Sequence, residues 1–424
     1  MMKHRQSSAL VATLLVLLSL AGADGRAAEE WITTWVAAPQ PRYADGFFVP
    51  NPTPLALTNR TIRQIVRISM GGSRVRVVVS NEYGHLPLQV GAAGLARAGS
   101  NGTIVPGSHT PLRFAGQTQI RIPPGARVTS DPVTFEVEPL ESLAVSLFLP
   151  VESRIDTIHA AGRQTAYVSG SGDFTAETAL EAATTSTARM LLSRIMVDAT
   201  AGAQAIVLFG DSITDGSCST VDANHRYPDA LAGRLQEQGH ADVAVLNAGI
   251  SGARVLKDGM GTNALARLDR DVLSQPHVST MVILLGINDI GWAETVLDPT
   301  SVPKAEEITA IYRMVIDRAH THGIRVLGAT LLPFADSIEG APLLDTYYSA
   351  AKDEVRAQVN EWIRTSGAFD GVIDFDEAMR DPERPAYLRE AYDCGDNLHP
   401  NDAGYGAMAE AIDLGLLFPE SRGE

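Results

Sequence analysis

The chain has 424 residues, of which 45% are hydrophobic and 20% are charged, and its formal net charge is −16. This length exceeds what one compact core normally holds, so we expect two domains together with processing segments. The negative charge argues against nucleic acid or an anionic membrane as the main partner, because both attract a basic surface.

The first residues have the pattern of a secretory signal peptide, which we assign to residues 1–27. A short basic region, MMKHRQ, precedes an apolar stretch from Ala9 to Ala23, and small residues follow, so cleavage is expected after Ala23 or Ala27. The apolar stretch is short for a membrane span, and an uncleaved N-terminal anchor is the alternative. The mature protein is therefore expected to be secreted or periplasmic, where disulfides persist.

Residues 29–195 are expected to form an all-β sandwich of the jelly-roll type. The runs RTIRQIVRIS and RVRVVVS are rich in β-branched residues, and the glycines at 71–72 between them are typical of a hairpin turn. Further short runs, QIRI, VTFEVE and LAVSLFL, are separated by turn-rich pieces such as PPGA. Short strands at this spacing, with no convincing helix until late in the segment, favour a sandwich.

From about Ala203 onwards, apolar strands alternate with amphipathic helices. The predicted strands are AIVLFG, VAVLNAG, TMVILLG, IRVLGATLLP and GVIDF, and the predicted helices are YPDALAGRLQEQG, AEEITAIYRMVIDRAHTHG and YYSAAKDEVRAQVNEWIRT. This alternation predicts a parallel sheet covered by helices on both faces, over residues 203–424. In such sheets, ligands bind beyond the carboxyl ends of the strands.

Polar motifs lie at three of these strand ends and near the C-terminus. GDSIT contains Ser212, NAG contains Gly249, GIND contains Asn288, and DNLHPN contains Asp396 and His399. A serine hydroxyl becomes a nucleophile when a histidine held by a third group removes its proton. The spacing of Asp396 and His399 allows the carboxylate to hold one ring nitrogen while the other faces Ser212. The N–H groups of Ser212 and Gly249 and the side-chain amide of Asn288 are candidate oxyanion donors.

With these motifs the chain resembles the SGNH hydrolases, also called GDSL-type esterases and lipases. The four letters of the family name correspond here to Ser212, Gly249, Asn288 and His399, in the family's order and across about half of the chain. The resemblance implies a flavodoxin-like three-layer α/β/α fold, and hydrolysis of esters or thioesters through an acyl-serine intermediate. Some secreted members that deacetylate polysaccharides also carry a β-sandwich before the hydrolase domain.

Two further features concern the same crevice. Cys218 lies six residues after Ser212, and Cys394 lies two residues before Asp396. If the catalytic residues meet, the two thiols come close in an oxidising compartment, so a disulfide is expected, with two free thiols as the alternative. Trp292 follows GIND and is a candidate wall of the substrate cleft, with packing in the core or a loop as the alternative.

Each candidate site residue also has a structural alternative. Ser212, Asp396 and Asn288 can cap helices or turns, His399 can be a packed or surface histidine, and Gly249 can be required only for close approach of the backbone.

Other candidates are excluded by their patterns. Ser251 in GISGA approaches a nucleophile elbow but lacks its final glycine, so it is expected to be a loop serine. The HTH spacing at 320–322 does not put both rings on one helix face, and the other histidines are scattered. We therefore expect neither a metal nor a cofactor.

The predicted function is that of a secreted serine esterase acting on carboxylic esters. Short acyl or acetyl groups are favoured because no large apolar lid is evident, and secretion with a β-domain favours carbohydrate-linked esters. A lysophospholipase or thioesterase of the same family is the first alternative, and a glycan-binding protein with a vestigial hydrolase half is the second. The expected partner is a small-molecule or polysaccharide ester, without nucleic acid and without stable membrane insertion after signal cleavage.

Overall fold

The computed structural model describes residues 30–44 and 46–418, so the expected signal peptide lies outside the described residues. Within that part of the chain, no helix combines the length and the apolar character needed to cross a membrane.

We call residues 30–198 the first half and residues 203–418 the second half. The strands of the first half are β1 (Trp31–Val36), β2 (Gln40–Pro41), β3 (Ala56–Leu57), β4 (Arg60–Arg67), β5 (Gly72–Ser80), β6 (Leu88–Val90), β7 (Ala92–Arg97), β8 (Thr110–Pro111), β9 (Ile120–Ile122), β10 (Arg127–Thr129), β11 (Val133–Val137), β12 (Ser142–Leu149), β13 (Ser153–Arg154), β14 (Thr157–His159), β15 (Ala166–Ser171), β16 (Ala182–Ser186), β17 (Arg189–Met190) and β18 (Leu192–Asp198).

The strands of the first half pair antiparallel and form two larger sheets. One has the strand order β1-β18-β5-β10, with β11 also pairing with β5, and the other has the order β16-β15-β4-β12-β7-β8. The remaining strands form the smaller sheets β13-β3, β17-β14-β2 and β6-β9. The β-branched residues predicted to form strands do so, and the valines of β5 and the isoleucine at 62 in β4 are buried.

The hairpin predicted at glycines 71–72 is wrong. Strand β4 pairs with β12 and β15, whereas β5 pairs with β18, β10 and β11, so the two strands lie in different sheets. Ile68 and Met70 in the connection are buried, and the N–H of Met70 donates to Thr34 Oγ1 at 2.7 Å. The glycines do mark the interruption between β4 and β5. The connection between these strands is buried, and it leads from the sheet that contains β4 to the sheet that contains β5.

The second half contains a parallel five-stranded sheet in the order β20-β19-β21-β22-β23. In chain order this is 2-1-3-4-5, one of the two common doubly wound arrangements. The prediction of a parallel sheet is confirmed, and each predicted strand overlaps an observed one. The strands are β19 (Gln204–Gly210), β20 (Val243–Gly249), β21 (Val278–Leu284), β22 (Arg325–Ala329) and β23 (Gly371–Ile373).

The helices of the second half fall into two contacting groups. Helices α2, α7 and α8 form one group, and α3, α5 and α6 form the other. Because parallel crossovers are right-handed, the order of the strands puts these groups on opposite faces of the sheet. The helices are α1 (Ser212–Asp215), α2 (Tyr227–Glu237), α3 (Ala264–Leu268), α4 (Ile287–Trp292), α5 (Ala305–Thr321), α6 (Ala350–Thr365), α7 (Phe375–Met379) and α8 (Asp402–Ala411).

The two halves share one hydrophobic core. Buried residues of both halves belong to a single continuous cluster. Strand β1 packs against β20, the edge strand of the parallel sheet, and the N–H of Val245 in β20 donates to Ser69 Oγ at 3.0 Å. The first half therefore covers a sheet edge that would otherwise expose unpaired backbone groups.

Candidate active site

Ser212 lies at the carboxyl end of β19, where the chain turns into the short helix α1. Asp211 precedes it as the N-cap residue, and its Oδ1 accepts from the N–H of Ile213 at 3.1 Å. Such a cap satisfies a free N–H at the start of a helix and fixes the turn. The Ser212 residue is 7% exposed, so only a small part of its surface is open to solvent.

Ser212, His399 and Asp396 form a continuous line of hydrogen bonds. His399 Nε2 lies 2.8 Å from Ser212 Oγ, and His399 Nδ1 lies 2.6 Å from Asp396 Oδ2. A carboxylate can only accept, so Nδ1 carries the hydrogen and Nε2 is left to accept from the serine hydroxyl. The structure thus brings together two motifs that are 187 residues apart in sequence.

The DNLHPN motif folds around the carboxylate of Asp396. Its Oδ1 accepts from the N–H of Leu398 at 2.9 Å and from the N–H of His399 at 2.8 Å. Burial acts to raise the pKa of Asp396, but the hydrogen bonds from the ring of His399 and from the N–H groups of His399 and Leu398 outweigh it and lower the pKa overall. The carboxylate is therefore ionised at neutral pH, as its role as an acceptor from Nδ1 requires.

A disulfide joins the two loops that carry these residues. Cys218, six residues after Ser212, is bonded to Cys394, two residues before Asp396, with a Cα–Cα distance of 6.2 Å. The expected disulfide is present, and the alternative of two free thiols does not apply. The N–H of Cys394 also donates to the carbonyl of His399 at 3.0 Å. The covalent link restrains the histidine loop against the loop that follows Ser212.

Asn288 lies in the first turn of α4, which begins shortly after the end of β21. Its Oδ1 accepts from Trp292 Nε1 and from the hydroxyl of Tyr347, both at 3.1 Å. These two donors fix the orientation of the amide, because only the oxygen can accept. The amide nitrogen donates to the carbonyl of Ala253 at 3.2 Å, and one of its two hydrogens remains for another acceptor.

Trp292, the candidate wall of the substrate cleft, packs against neighbouring side chains. It is only 6% exposed, its ring packs edge-on against Phe48, and the guanidinium of Arg254 lies over it. Its indole N–H is used by Asn288. The alternative of loop packing describes it better, since a buried indole ring with a satisfied N–H offers little surface to a ligand.

Gly249 allows a close approach between β20 and α1. A Cβ at this position would lie 2.3 Å from the backbone nitrogen of Asp215, so a larger residue does not fit. The N–H of Gly249 donates to Asn247 Oδ1 at 2.9 Å. The steric role is therefore visible, whereas the N–H that was predicted to be an oxyanion donor already has an acceptor. It can bind a substrate oxygen only by sharing its hydrogen with Asn247.

Asp211 precedes Ser212 and Asp289 follows Asn288, and the two carboxyl groups differ in their hydrogen-bond partners. Asp289 accepts from the N–H groups of Val255 and Leu256, one on each oxygen and both at 2.9 Å. Asp211 uses Oδ1 for the cap, but its buried Oδ2 has no partner among the described residues. Burial raises the pKa of Asp211 to about 7 and the pKa of Asp289 to about 6.

Replacing Asp211 with asparagine is expected to stabilise the protein above neutral pH. Between the ordinary pKa of 3.8 and the raised value of about 7, the unfolded chain releases a proton that the folded protein keeps. Stability is therefore lost as the pH rises through this window. Asp211→Asn retains the capping oxygen and removes the buried charge, so its melting temperature should exceed that of the wild type near pH 8 and match it near pH 4.

Thermal denaturation of Asp211→Asn and Asp289→Asn at both pH values tests this expectation. Asp289→Asn is the matched control, because its NH₂ group would face a backbone N–H and should destabilise the protein at either pH. Equal destabilisation of both variants near pH 8 would contradict the assignment of an uncompensated charge to Asp211.

Several residues that organise the site were not identified from the sequence. Arg267, which is fully buried, donates to the carbonyls of Gly210 and Ala248 at 2.7 Å and so links the carboxyl ends of β19 and β20. Tyr347 holds Asn288, as described above. Neither residue stands near a recognisable motif, so no local signal could have identified them.

The side chains of the site do not form a metal site. Among the described residues, the groups close enough to share an ion are Cys218 with Asp396 and His399, and Cys394 with Asp393 and Asp396. Each group contains a cysteine whose sulfur is in the disulfide. Asp396 and His399 are used in the line of hydrogen bonds to Ser212, and Asp393 Oδ1 accepts from the N–H of Asn397 at 3.0 Å.

Comparison with known proteins identifies a family for most of the second half. Residues 208–407 match the family described as "GDSL-like Lipase/Acylhydrolase family". No curated protein matches the chain. Similar solved structures include an acetyl xylan esterase, which is 21% identical over 49% of this chain and 96% of its own, with a TM-score of 0.37. A carbohydrate acetylesterase from Sinorhizobium meliloti is 16% identical over 49% of this chain and 96% of its own, with a TM-score of 0.38. An aryl esterase from M. smegmatis is 17% identical over 49% of this chain and 96% of its own, with a TM-score of 0.39.

Proposed function

We propose catalytic roles for three residues of this chain, which belongs through residues 208–407 to the GDSL-like lipase/acylhydrolase family of ester-hydrolysing serine hydrolases. Ser212 is the nucleophile, His399 the general base and Asp396 the residue that orients the base. The observation that carries this proposal is the line of hydrogen bonds from Ser212 Oγ through both ring nitrogens of His399 to Asp396 Oδ2.

In the first half-reaction, Ser212 Oγ attacks the ester carbonyl carbon while its proton moves to His399 Nε2. The imidazole then carries a hydrogen on each nitrogen, and the carboxylate of Asp396 stabilises its positive charge through Nδ1–H. When the tetrahedral intermediate collapses, the C–O bond to the alcohol breaks and Nε2 returns the proton to the departing oxygen. The acyl group remains bonded to Ser212.

The negative oxygen of the tetrahedral intermediate needs hydrogen-bond donors that are already in place. We assign this role to the N–H of Ser212 and to the amide nitrogen of Asn288, whose orientation is fixed by Trp292 and Tyr347. The N–H of Gly249 is a third donor when it shares its hydrogen with Asn247.

In the second half-reaction, water takes the place of the alcohol. His399 Nε2 removes a proton from the water as it attacks the acyl carbon, and a second tetrahedral intermediate forms. Its collapse breaks the bond to Ser212 Oγ, which recovers its proton from Nε2, and the carboxylic acid leaves. The enzyme returns to its starting state, without a metal or a cofactor in any step.

Esters with short acyl groups, including acetyl groups on carbohydrate, are the proposed substrates. The space beside Asn288 is occupied by the side chains of Trp292 and Tyr347, which are 6% and 1% exposed. A long acyl chain entering beside Asn288 would have to displace these rings from close packing, which is costly. An acetyl group makes no such demand.

The first half is proposed to be a β-sandwich accessory domain of the jelly-roll type, over residues 29–195, joined to a hydrolase domain over residues 203–424. Its two larger antiparallel sheets support this description. We also propose that residues 1–27 direct secretion to the outside of the cell or to the periplasm. The disulfide between Cys218 and Cys394 is compatible with an oxidising compartment.

A panel of p-nitrophenyl esters tests the proposed substrate class. The acetate and butyrate esters should be hydrolysed at least about tenfold more efficiently, by kcat/KM, than the octanoate and palmitate esters. Release of acetate from acetylated xylan would support carbohydrate esters as substrates. A preference for palmitate or for acyl thioesters would replace this proposal by a lipase or a thioesterase. Binding to xylan without hydrolysis of any ester would favour a glycan-binding protein.

A further inference from the structure

We propose that His159, in the first half, is a positioning residue for the esterase site, so that turnover by the hydrolase half depends on the first half. This inference rests on the proposed function of Ser212. Its basis is a buried side-chain contact between the two halves, and neither residue of that contact belongs to the motifs of the active site.

His159 ends strand β14 and points towards the helix that begins with Ser212. Its Nε2 lies 2.9 Å from Asp215 Oδ1, and its Nδ1 lies 3.0 Å from the carbonyl oxygen of Ala38. His159 is 5% exposed and Asp215 is 1% exposed. Asp215 is the last residue of α1, three positions after the nucleophile.

Both ring nitrogens of His159 face acceptors. The carbonyl oxygen of Ala38 can only accept, so the ring donates to it through Nδ1–H, and Nε2 shares a hydrogen with the carboxyl group of Asp215. Removing one member of such a pair leaves the other buried without its partner, which is strongly unfavourable.

The carboxylate of Asp215 connects this contact to the oxyanion side of the site. Its Oδ2 accepts from both the N–H and the hydroxyl of Ser251, at 2.9 and 2.8 Å. Ser251 follows Gly249 by two residues, and Gly249 packs directly on the backbone of Asp215. Asp215 therefore fixes the distance between the helix of Ser212 and the segment that follows Gly249.

A second residue of the first half holds the far end of that segment. Gln40 Nε2 donates to the carbonyl of Met260 at 2.8 Å, and Gln40 Oε1 accepts from the N–H of Ala160, the residue after His159. The hydroxyls of Tyr83 and Thr262 are 2.9 Å apart. The first half thus bonds directly to segment 250–262 at Met260 and Thr262, and it reaches Ser251 through Asp215.

Three substitutions of His159 separate its two hydrogen bonds. His159→Gln places an N–H donor near the position of Nε2, His159→Asn places one near the position of Nδ1, and His159→Ala removes both. We expect kcat for p-nitrophenyl acetate to fall about 10- to 100-fold in the alanine and asparagine variants, because small displacements at a reacting centre have large effects on rate. The glutamine variant should stay within about fivefold of the wild type.

The number of reactive sites in each preparation is first measured by letting a fluorophosphonate probe react to completion. The rate of ester hydrolysis is then divided by this number to give the turnover per reactive site. If His159 only supported folding, fewer molecules would react and each would retain wild-type turnover. Positioning predicts a full number of reactive sites with a lower kcat and a KM within about threefold of the wild type. Thr33→Val is the control, because it removes another hydrogen bond between the halves, to Gln275 near the amino end of β21.

Wild-type turnover per reactive site in His159→Ala would overturn the positioning role. An equal loss in Thr33→Val would overturn it as well, because the effect would then come from a loosened interface in general. The positioning role would also be overturned if the kcat of His159→Gln were as low as that of His159→Ala while His159→Asn remained active. A wild-type protein that neither reacts with the probe nor hydrolyses the ester would instead refute the proposed function.

Discussion

Replacement of Ser212 with alanine is expected to lower kcat for p-nitrophenyl acetate by about 10⁴- to 10⁶-fold. In the proposed mechanism, alanine removes the only atom that forms the acyl bond, while the proposed oxyanion donors remain. The melting temperature should change little, since Ser212 Oγ makes its hydrogen bond to a partly exposed histidine. Steady-state hydrolysis and thermal denaturation of the same preparation measure both quantities.

A serine within the parallel sheet, Ser279, provides the matched control. Ser279 lies near the amino end of β21, and its hydroxyl is buried without a partner among the described residues. Ser279→Ala should therefore retain full activity. A loss of less than about tenfold in Ser212→Ala would contradict the assignment of the nucleophile, because a removed nucleophile leaves only binding and oxyanion effects.

Replacement of Asp396 with asparagine is expected to lower kcat by about 10⁴-fold. Asp396 Oδ1 accepts from the N–H groups of Leu398 and His399, so the oxygen of the new amide should remain there. The NH₂ group would then face His399 Nδ1, which would have to become an acceptor. The hydrogen of the ring would move to Nε2, and Nε2 could no longer accept the proton of Ser212.

Asp402 and His225 form a similar pair that serves as the control for Asp396→Asn. Asp402 Oδ2 lies 2.7 Å from His225 Nδ1, and the imidazole of His225 is mostly exposed. Asp402→Asn changes the same chemistry outside the line of bonds to Ser212 and should keep kcat within about threefold of the wild type. Similar losses in both variants would mean that a general change of charge, rather than the tautomer of His399, controls the rate.

The arrangement of the second half could be predicted because each element has a strong local signal. The apolar runs AIVLFG and VAVLNAG are short and are followed by glycine-containing motifs, as buried parallel strands are. Once strands and helices alternate, the handedness of the crossovers limits the possible topologies. Ser212 and Asn288 could then be assigned to one edge of the sheet, since the carboxyl ends of parallel strands meet there.

The pairing of strands in the first half was harder to predict. The glycines at 71–72 were correctly taken as an interruption between two strands, but the strands pair with partners that are far away in sequence. Strand β4 pairs with β12, whose residues lie between 142 and 149. No local pattern specifies such a partner, because pairing depends on which apolar faces pack together in the whole fold.

The contacts within the site were hard to predict for a similar reason. Sequence motifs identified Trp292 and Gly249, but they do not show which way an indole ring points or which acceptor an N–H group meets. The contact between His159 and Asp215 joins residues 56 positions apart in different halves. His159 lies among apolar residues in TIHAA, where a satisfied core histidine is the ordinary expectation. Only the tertiary packing reveals that its partner belongs to the helix of Ser212.

Identification of the residue modified by a fluorophosphonate probe tests the central claim most directly. The probe reacts with a serine whose proton is removed by a neighbouring base. Mass spectrometry of the digested protein should find a single adduct on the peptide that contains Ser212, and the adduct should form far more slowly in His399→Ala. An adduct on another serine, such as Ser251, or an unchanged rate of labelling in His399→Ala, would contradict the account.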